Sequence, residues 1–395
     1  MFVKHLTVAN FRNHENTDVG LQAGINMFVG DNGQGKTNLV EAIYYLSTLS
    51  SHRVAGYLPL IRKGRPTAII RAMASHAGRD VLLEAELNRD SKNRVRINKS
   101  DSNRVRDIVG YVQTVMFAPE DLDIIKKDPS NRRAFIDQLV VQLNPRYAGI
   151  YSDYDRVLRQ RNTLLKSAKT NSVKGAALST LDSWDEQLIK NGSEIVVARN
   201  RLVEKLNPAV LNAYQAIAAA RNQPLIQVKS SLLETAIPSW FDDEAEDTMQ
   251  VLDSTDIGEV VELFQKRLAE VRAKEIERGL TLVGPQRDDL VLLLNDMPAK
   301  GYASHGESWS YALALRLASR EILRQESQSG DPILILDDVF AELDDARRKK
   351  LAELVRDNEQ VLITAAVEAD VPSELKAKMF HVELGTVKAG DESNE

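Results

Sequence analysis

The stretch Ile25 to Thr37, I-N-M-F-V-G-D-N-G-Q-G-K-T, decides how the rest of the chain reads. Apolar residues ending at Val29 predict a short buried strand. Gly30 to Thr37 fits the phosphate-loop pattern G-x-x-x-x-G-K-[ST], and Asn38 to Leu49 carries helical periodicity. Strand, loop and helix follow one another in the order such a loop needs. Glycines at 30, 33 and 35 let the backbone curl so that successive N–H groups point inward at phosphate oxygens, and the positive end of the helix adds to them. The candidate nucleotide contacts are therefore Gly30, Asp31, Asn32, Gly33, Gln34, Gly35, Lys36, Thr37 and Asn38. Lys36 is placed to reach the outer phosphates of a nucleoside triphosphate, as a catalytic cation, and the Thr37 hydroxyl to ligate the accompanying magnesium ion.

Two further pieces lie far downstream. P-I-L-I-L-D-D, Pro332 to Asp338, is an aliphatic strand running into two carboxylates. A phosphate-loop enzyme needs an acid at the end of the neighbouring strand to hold magnesium. Asp337 takes that place, and Asp338 points toward the attacking water as a candidate catalytic residue. Upstream of it, Ser304-His305-Gly306-Glu307 precedes a helix expected over Ser308 to Gln325. A Ser hydroxyl, a Gly amide and a helix N-terminus make a second anion-binding corner, although the same residues also suit an ordinary capped helix. Ala341-Glu342-Leu343-Asp344 reads as the start of another helix with an acid-rich first turn.

At 395 residues the chain has room for roughly two or three domains. Its 43% hydrophobic and 27% charged content are those of a globular protein, and the absence of cysteine excludes disulfides and thiolate metal sites, as suits a reducing cytosol. The start M-F-V-K-H-L-T-V-A-N-F lacks the parts of a secretory signal and no apolar run is long enough for a membrane span, so the expected location is cytoplasmic with no membrane partner. A net charge of −6 means that contact with nucleic acid must come from local basic patches.

Around these pieces, Phe2 to Ala9 reads as a strand ending in the turn Asn10-Phe11-Arg12-Asn13, which either touches the nucleotide base or sugar or is a solvent loop. A polar link begins at Ser51, His52 and Arg53. Ala68 to Met73, Val81 to Leu87 and Arg94 to Ile97 follow as antiparallel strands at hairpin spacing. The cations Arg89, Lys92, Arg94, Arg96, Lys99, Arg104 and Arg106 there either protect a sheet edge or track phosphates. Tyr111 to Phe117 is an apolar strand. From Glu120 the period becomes helical, broken at Pro129 and Pro145, at Ser172 to Gly175 and after Leu206, with a strand at Leu225 to Val228, an acidic surface loop at Asp242 to Asp247 and a helix at Ile257 to Arg278. Arg156, Arg159 and Arg161 do not share a helix face and read as a solvated exterior. Leu280 to Val283, Leu290 to Leu294, Ile333 to Leu336 and Val361 to Ile363 read as strands, and Gly385 to Glu395 as a disordered tail.

The order of phosphate loop, Ser-x-Gly-Glu and aliphatic strand with Asp-Asp resembles the ATP-binding-cassette superfamily. Within it the chain is similar to the RecF family of bacterial recombinational-repair proteins, related to the structural-maintenance-of-chromosomes (SMC) and Rad50 heads. Besides the loop, the resemblance rests on N-F-R-N at Asn10, P-E-D-L at Pro119, N-R-R-A-F-I-D at Asn131, G-P-Q-R-D-D-L at Gly284 and D-D-V-F-A-E-L-D at Asp337. It implies an α/β fold, an ABC-type P-loop ATPase head (mixed sheet with helices plus an antiparallel β subdomain) with a compact, mainly helical second lobe. The expected division is an ATPase lobe over 1–119 and 279–384, the helical lobe over 120–278 and a tail over 385–395. The resemblance also implies ATP and Mg2+ as cofactors, and an ATP-dependent homodimer in which Ser304, Gly306 and Glu307 of one copy cap the γ-phosphate held by the other. Expected partners are single-stranded DNA, gapped or junction duplex, RecR and RecO, with RecA placed indirectly. Departures are Lys127 for the usual Gly, Gln286 for the usual His, and no switch His after Ile363 or lobe-linking Gln, for which Glu120 is nearest. Asp338 stands where most relatives in the superfamily have Glu, from which slow hydrolysis is expected. Rival readings are a small-molecule kinase, which has no use for Ser304 to Glu307, a long coiled-coil clamp, whose heptads are missing, and a transporter ATPase.

Overall fold

The computed structural model describes residues 1–171, 176–218, 222–233, 251–327 and 330–390; the Ser172 to Gly175 break and the Asp242 to Asp247 acidic stretch lie outside them. By internal contacts there are two compact units, one of Met1–Asp123, Asn212–Arg221 and His305–Glu395, the other of Ile124–Leu211 and Asn222–Ser304.

The chain enters the first unit through β1 (Phe2–Phe11), β2 (His14–Gly20), β3 (Gly24–Val29), α1 (Lys36–Thr48), β4 (Thr67–His76), β5 (Arg79–Asn88), β6 (Arg94–Ile97), β7 (Ser100–Asp101) and β8 (Thr114–Phe117). Alternation in β4, with Ala68, Ile70, Ala72 and Ala74 buried, marks a sheet with one covered face. That sheet is antiparallel, in the order β2-β1-β4-β5-β6-β7. Strand β2 carries no strand signal in its sequence, because only His14, Thr17 and Val19 of H-E-N-T-D-V-G face inward and two of those are polar.

The second unit takes in part of α2 (Leu122–Lys126), then α3 (Pro129–Leu143), α4 (Arg146–Asn171), most of α5 (Ala176–Ile217), β9 (Pro224–Lys229), α6 (Ile257–Arg278), β10 (Asp289–Leu294), β11 (Met297–Pro298) and the short turn α7 (Ala299–Tyr302). Helix α6 has clear local instructions. The Asp256 side chain accepts from the amides of Gly258 and Glu259, Gly279 ends the helix in the left-handed region, and Val260, Phe264, Leu268 and Val271 make its buried stripe. Phe264 packs with Tyr154, Leu188, Ile195 and Val196 in this unit's core. Helix α5 runs through Pro208, where a break was expected. Asn207 beside it both donates to and accepts from the backbone of Ile226, tying the helix to β9 where the ladder bond is lost.

Three expectations change here. Leu280 to Val283 is not a strand: the Thr281 amide donates to Asn162 and the Leu282 amide to Glu275, so side chains take the bonds that a neighbouring strand would take. Residues 279–304 group with the second unit, because β10 pairs antiparallel with β9. Arg161 is not on the exterior but fully buried, donating to Asp185 at 2.6 Å, Glu275 at 2.6 Å and Thr281 at 2.8 Å. Gln286 keeps two hydrogen bonds, accepting from Tyr154 and donating to the Val283 carbonyl.

The first unit resumes with α8 (His305–Glu326), β12 (Ile333–Asp337), α9 (Asp345–Val355), β13 (Gln360–Ala365), β14 (Ala377–Glu383) and β15 (Thr386–Ala389). The second sheet of this unit runs β15-β14-β3-β13-β12-β8, parallel except for β15. Every residue of β12 and β13 is buried, as strands covered on both faces must be, and each aliphatic there contributes about 1.5–3 kcal/mol by leaving water. The expected tail is in part a strand: Leu384 and Gly385 make a left-handed turn and β15 folds back on β14. Helix α1 contacts β1 and β4 on one sheet and β8, β12 and β13 on the other, which buries nearly all of Leu39 to Ser47.

Candidate functional site

The phosphate loop leaves β3 at Val29 and closes into α1 at Lys36. Two of its glycines are there for space. A Cβ at Gly30 would lie 2.2 Å from the Val382 carbonyl oxygen. One at Gly35, where φ is 115°, would strike Asn13 and His14 at 2.6–2.7 Å. Lys36 is 4% exposed, and its ammonium donates to the Gly30 carbonyl at 2.7 Å and the Asp31 carbonyl at 3.2 Å. Its charge thus meets neutral dipoles inside the loop's own curl. Helix α1 starts at the end of this curl, where the Asn38 amide donates to the Gly35 carbonyl at 3.1 Å and the positive end of the helix meets the loop.

The loop is braced from two sides. The Asn13 amide donates to the Gln34 carbonyl at 2.9 Å, and Asn38 donates to Asn13 at 2.7 Å. From the other side, the Leu384 amide donates to the Gln34 side chain and the Gly385 amide to the Gln34 carbonyl. His14, fully buried, has Nε2 3.0 Å from the Gly35 carbonyl oxygen and Nδ1 2.9 Å from that of Gly385. Burial holds its pKa below the ordinary value, the two carbonyls resist that, and Arg62 adds to it. The Asn10 to Asn13 turn is therefore a buttress. Its Arg12 is taken up by the buried Glu41 at 2.7 and 2.8 Å. Beside it opens a cleft of about 590 Å³, lined in part by Asn13, Asn38, Arg53, Lys63 and Arg89.

Across the sheet, β12 carries Asp337 to the same place. It lies two strands from β3 rather than beside it, with β13 between, and Thr364 of β13 bridges the gap. The Thr37 hydroxyl donates to Asp337 Oδ1 at 2.8 Å and the Thr364 hydroxyl to the same oxygen at 2.6 Å. Asp338 turns left-handed, with φ 50°, and its amide donates to the Thr364 hydroxyl at 3.0 Å. Burial and then the Asp337 charge push the Asp338 carboxyl above its ordinary range, against Lys36 and Thr364.

The donor set around Thr37 and Asp337 fits magnesium. It is made of hard oxygens, and among the described residues no cluster of three or more acidic, His or Cys side chains could hold a metal by itself. Magnesium commonly takes one or two protein oxygens and completes its shell with phosphate and water.

Ser304, Gly306 and Glu307 form a separate group at the start of α8, which begins at His305, three residues before the expected start. A Cβ at Gly306 would come within 3.0 Å of the Arg347 guanidinium, which also donates to Ser310 and pairs with Asp344. Asp344 is the N-cap of α9, so the acid-rich turn read from the sequence precedes that helix.

His52 was read only as part of a polar link. Its side chain is 8% exposed, 3.6 Å from Asp337 Oδ2 and edge-on to Tyr44. Nothing in the local sequence S-S-H-R pointed to this placement. Of the basic run, Arg96 is held by Glu84 and Asp101 at the sheet's β6–β7 edge.

Comparison with known proteins agrees with this geometry. The family model described as "RecF/RecN/SMC N terminal domain" matches residues 2–385. The chain is 52% identical over 390 residues to "DNA replication and repair protein RecF" of Clavibacter sepedonicus, covering 98% of this chain and 95% of that one. With its counterpart in Streptomyces avermitilis it shares 50% over 391 residues, covering 98% and 100%. The solved "Structure of the recombination mediator protein RecF-ATP in RecFOR pathway" superposes with a TM-score of 0.85 at 28% identity, covering 98% of this chain and 97% of that one. Matched over nearly its whole length by family model, relatives and structure alike, the chain belongs to the RecF family.

Proposed function

We propose that this chain is an ATP-dependent DNA-binding protein of recombinational and replication-gap repair. It dimerises head to head on ATP, hydrolyses it slowly, and acts with RecR and RecO in placing RecA on single-stranded DNA at gaps. One observation carries the nucleotide reading. Thr37 and Asp337, 300 residues apart in sequence, meet at 2.8 Å beside a lysine whose hydrogen bonds go to the loop's own carbonyls. That the relatives are named for DNA replication and repair, and that a similar structure is titled for RecF-ATP in the RecFOR pathway, supports the rest.

In this reading Lys36 and the amides of Gly30 to Thr37 bind the β- and γ-phosphates, and Asn38 holds Asn13 against the loop. Bound at Thr37 and Asp337, Mg2+ would neutralise phosphate charge and orient the terminal group. Asp338 accepts the proton of the attacking water, which it does only when ionised. Ser304, Gly306 and Glu307 of a second copy close over the γ-phosphate, and the loss of that group loosens the pair. The nucleoside extends from the loop toward the open cleft lined in part by Asn13, Arg53 and Lys63.

The test is mass and DNA binding measured together. Lys36→Arg is expected to lose nucleotide binding or closure, whereas Ser304→Arg should bind ATP and stay monomeric in sedimentation with ATP and magnesium. A Ser304→Arg protein that dimerises as the wild type does would refute the capping role. DNA binding titrated against salt, with and without ATP, should show a stronger and more salt-dependent complex with ATP; equal curves would remove ATP from the control of DNA binding.

A further inference from the structure

His52 is held by design of the segment around it. Helix α1 ends with Leu49 in the left-handed region, and the chain turns back along the helix. Ser51 then donates to Glu41 at 2.5 Å and accepts from the amides of Arg53 and Val54, so this short turn is pinned to a fully buried carboxylate. Tyr44, one turn further along α1, meets the His52 ring edge-on with centroids 5.8 Å apart. The ring is thereby fixed between the helix and the end of β12. Neither of its nitrogens has a hydrogen-bond partner, although both are buried. A buried imidazole with both nitrogens unsatisfied is costly, and such a group calls for a partner that arrives later. Asp337 Oδ2 lies 3.6 Å from Nε2, just beyond bonding distance.

The two oxygens of the carboxylate show where a further donor would act. Asp337 Oδ1 accepts from both Thr37 and Thr364. A Thr37 oxygen that gives a lone pair to a cation still has its one proton to donate to Asp337, so Oδ1 keeps both donors. The carboxylate is held at that oxygen only, and its Oδ2 gains from a donor that stops it rotating as the cation draws on the pair. We infer that His52 is a positioning residue of the divalent-cation site, its Nε2–H closing onto Asp337 Oδ2 when Thr37 takes up the metal, and that it sets the metal requirement of nucleotide binding. This rests on the reading of Thr37 and Asp337 as the metal pair. Partners outside the ligand shell commonly change metal affinity by about 10–100-fold, which sets the size of effect to look for.

The experiment uses the full chain and a fluorescent ATP analogue, titrated in EDTA and over a range of magnesium concentrations. Mn2+ resonance in the presence of ATP gives a readout independent of hydrolysis. His52→Ala should bind nucleotide in EDTA as the wild type does but need about tenfold more magnesium for half-maximal enhancement. His52→Gln, which restores an N–H donor, should recover most of the shift, and His52→Phe, which fills the space against Tyr44 without a donor, should not. Thermal unfolding of all three variants identifies any loss of fold, and Gln against Phe decides the matter should Ala be unstable. Asp337→Ala should abolish the magnesium effect. If it does not, the metal pair is misread and the inference falls with it. If Asp337→Ala abolishes the effect while His52→Phe keeps the wild-type requirement, the metal pair stands and the role of His52 is overturned. Equal behaviour of Gln and Phe would also overturn it, in favour of packing alone.

Discussion

The core of the second unit and the phosphate-loop site of the first bury charge in opposite ways. In the second, Arg161 meets Asp185 and Glu275, and Arg199 meets Asp137 through two bonds of 2.7 and 2.8 Å and donates to the Pro285 carbonyl. These ions satisfy one another: despite burial, Glu275 and Asp185 push Arg161 above its ordinary range. At the loop of the first unit, among the described residues, Lys36 hydrogen-bonds only carbonyls, Asp337 hydroxyls, and His52 nothing, although the same unit closes Arg12 on Glu41 and Arg316 on Asp121 away from the phosphate loop. Closed ion networks hold a scaffold together. Buried polar groups answered only by neutral dipoles keep the capacity to receive a charged ligand.

The comparison breaks first if the networks are not structural. Arg161→Ala leaves the fully buried Glu275 without its cation, while Asp185 keeps Arg272, and breaking a buried pair in this way typically costs about 3–5 kcal/mol. The urea midpoint should fall accordingly, while nucleotide affinity of the folded protein stays within about twofold, the spread expected of a site that shares no partner with the network. An unchanged midpoint would make the network incidental.

The next largest effect lies in the site. Asp338→Asn should slow hydrolysis by about 100-fold or more, the usual loss when a general base is removed, with nucleotide binding retained. Because the Asp338 carboxyl sits above its ordinary range, wild-type hydrolysis should decline as pH falls through that raised value, since the protonated acid cannot take a proton from water. A rate profile flat over that range would exclude Asp338 as the base. Lys36→Ala should cost about 2 kcal/mol of nucleotide binding, roughly 30-fold, as for a charge-assisted hydrogen bond. Its urea midpoint should not fall, because among the described residues the lysine hydrogen-bonds carbonyls and no carboxylate. A large loss of stability would put Lys36 in the same class as Arg161.

This difference also explains what could be read in the sequence. Gly30 to Thr37 is contiguous and its chemistry local, and Asp337 follows four aliphatics that mark a buried strand end. Helix α6 was legible at both ends, since Asp256 and Gly279 sit at its caps. Arg161 was misread because its partners are 24 and 114 residues away, and three arginines in one helix look solvated whatever lies opposite them. His52 escaped for the same reason: Asp337 comes from another strand, and nothing in Ser51 to Arg53 signals it. The β2 and β15 strands were hidden by polar sequence whose bonding is decided by neighbouring chain, and Leu280 to Val283 looked like a strand because apolar content cannot show that Asn162 and Glu275 take its amides.

The smallest effect tests the brace behind the loop. A neutral His14 ring can donate to only one of the carbonyls of Gly35 and Gly385, and a charged ring could donate to both. Burial prevails, so the folded pKa lies below the ordinary 6.5. A histidine depressed on folding gives its full stabilisation above the unfolded value and loses it as pH falls below 6.5 toward the folded one, because the unfolded chain then binds the proton more readily. Wild-type thermal stability should therefore decline below that pH more steeply than that of His14→Gln, whose amide does not titrate. The gap should be smaller than the loss in Arg161→Ala. Parallel curves would mean that His14 folds without a proton penalty, its charge already balanced, and the phosphate loop would then rest on a closed polar network like those of the second unit.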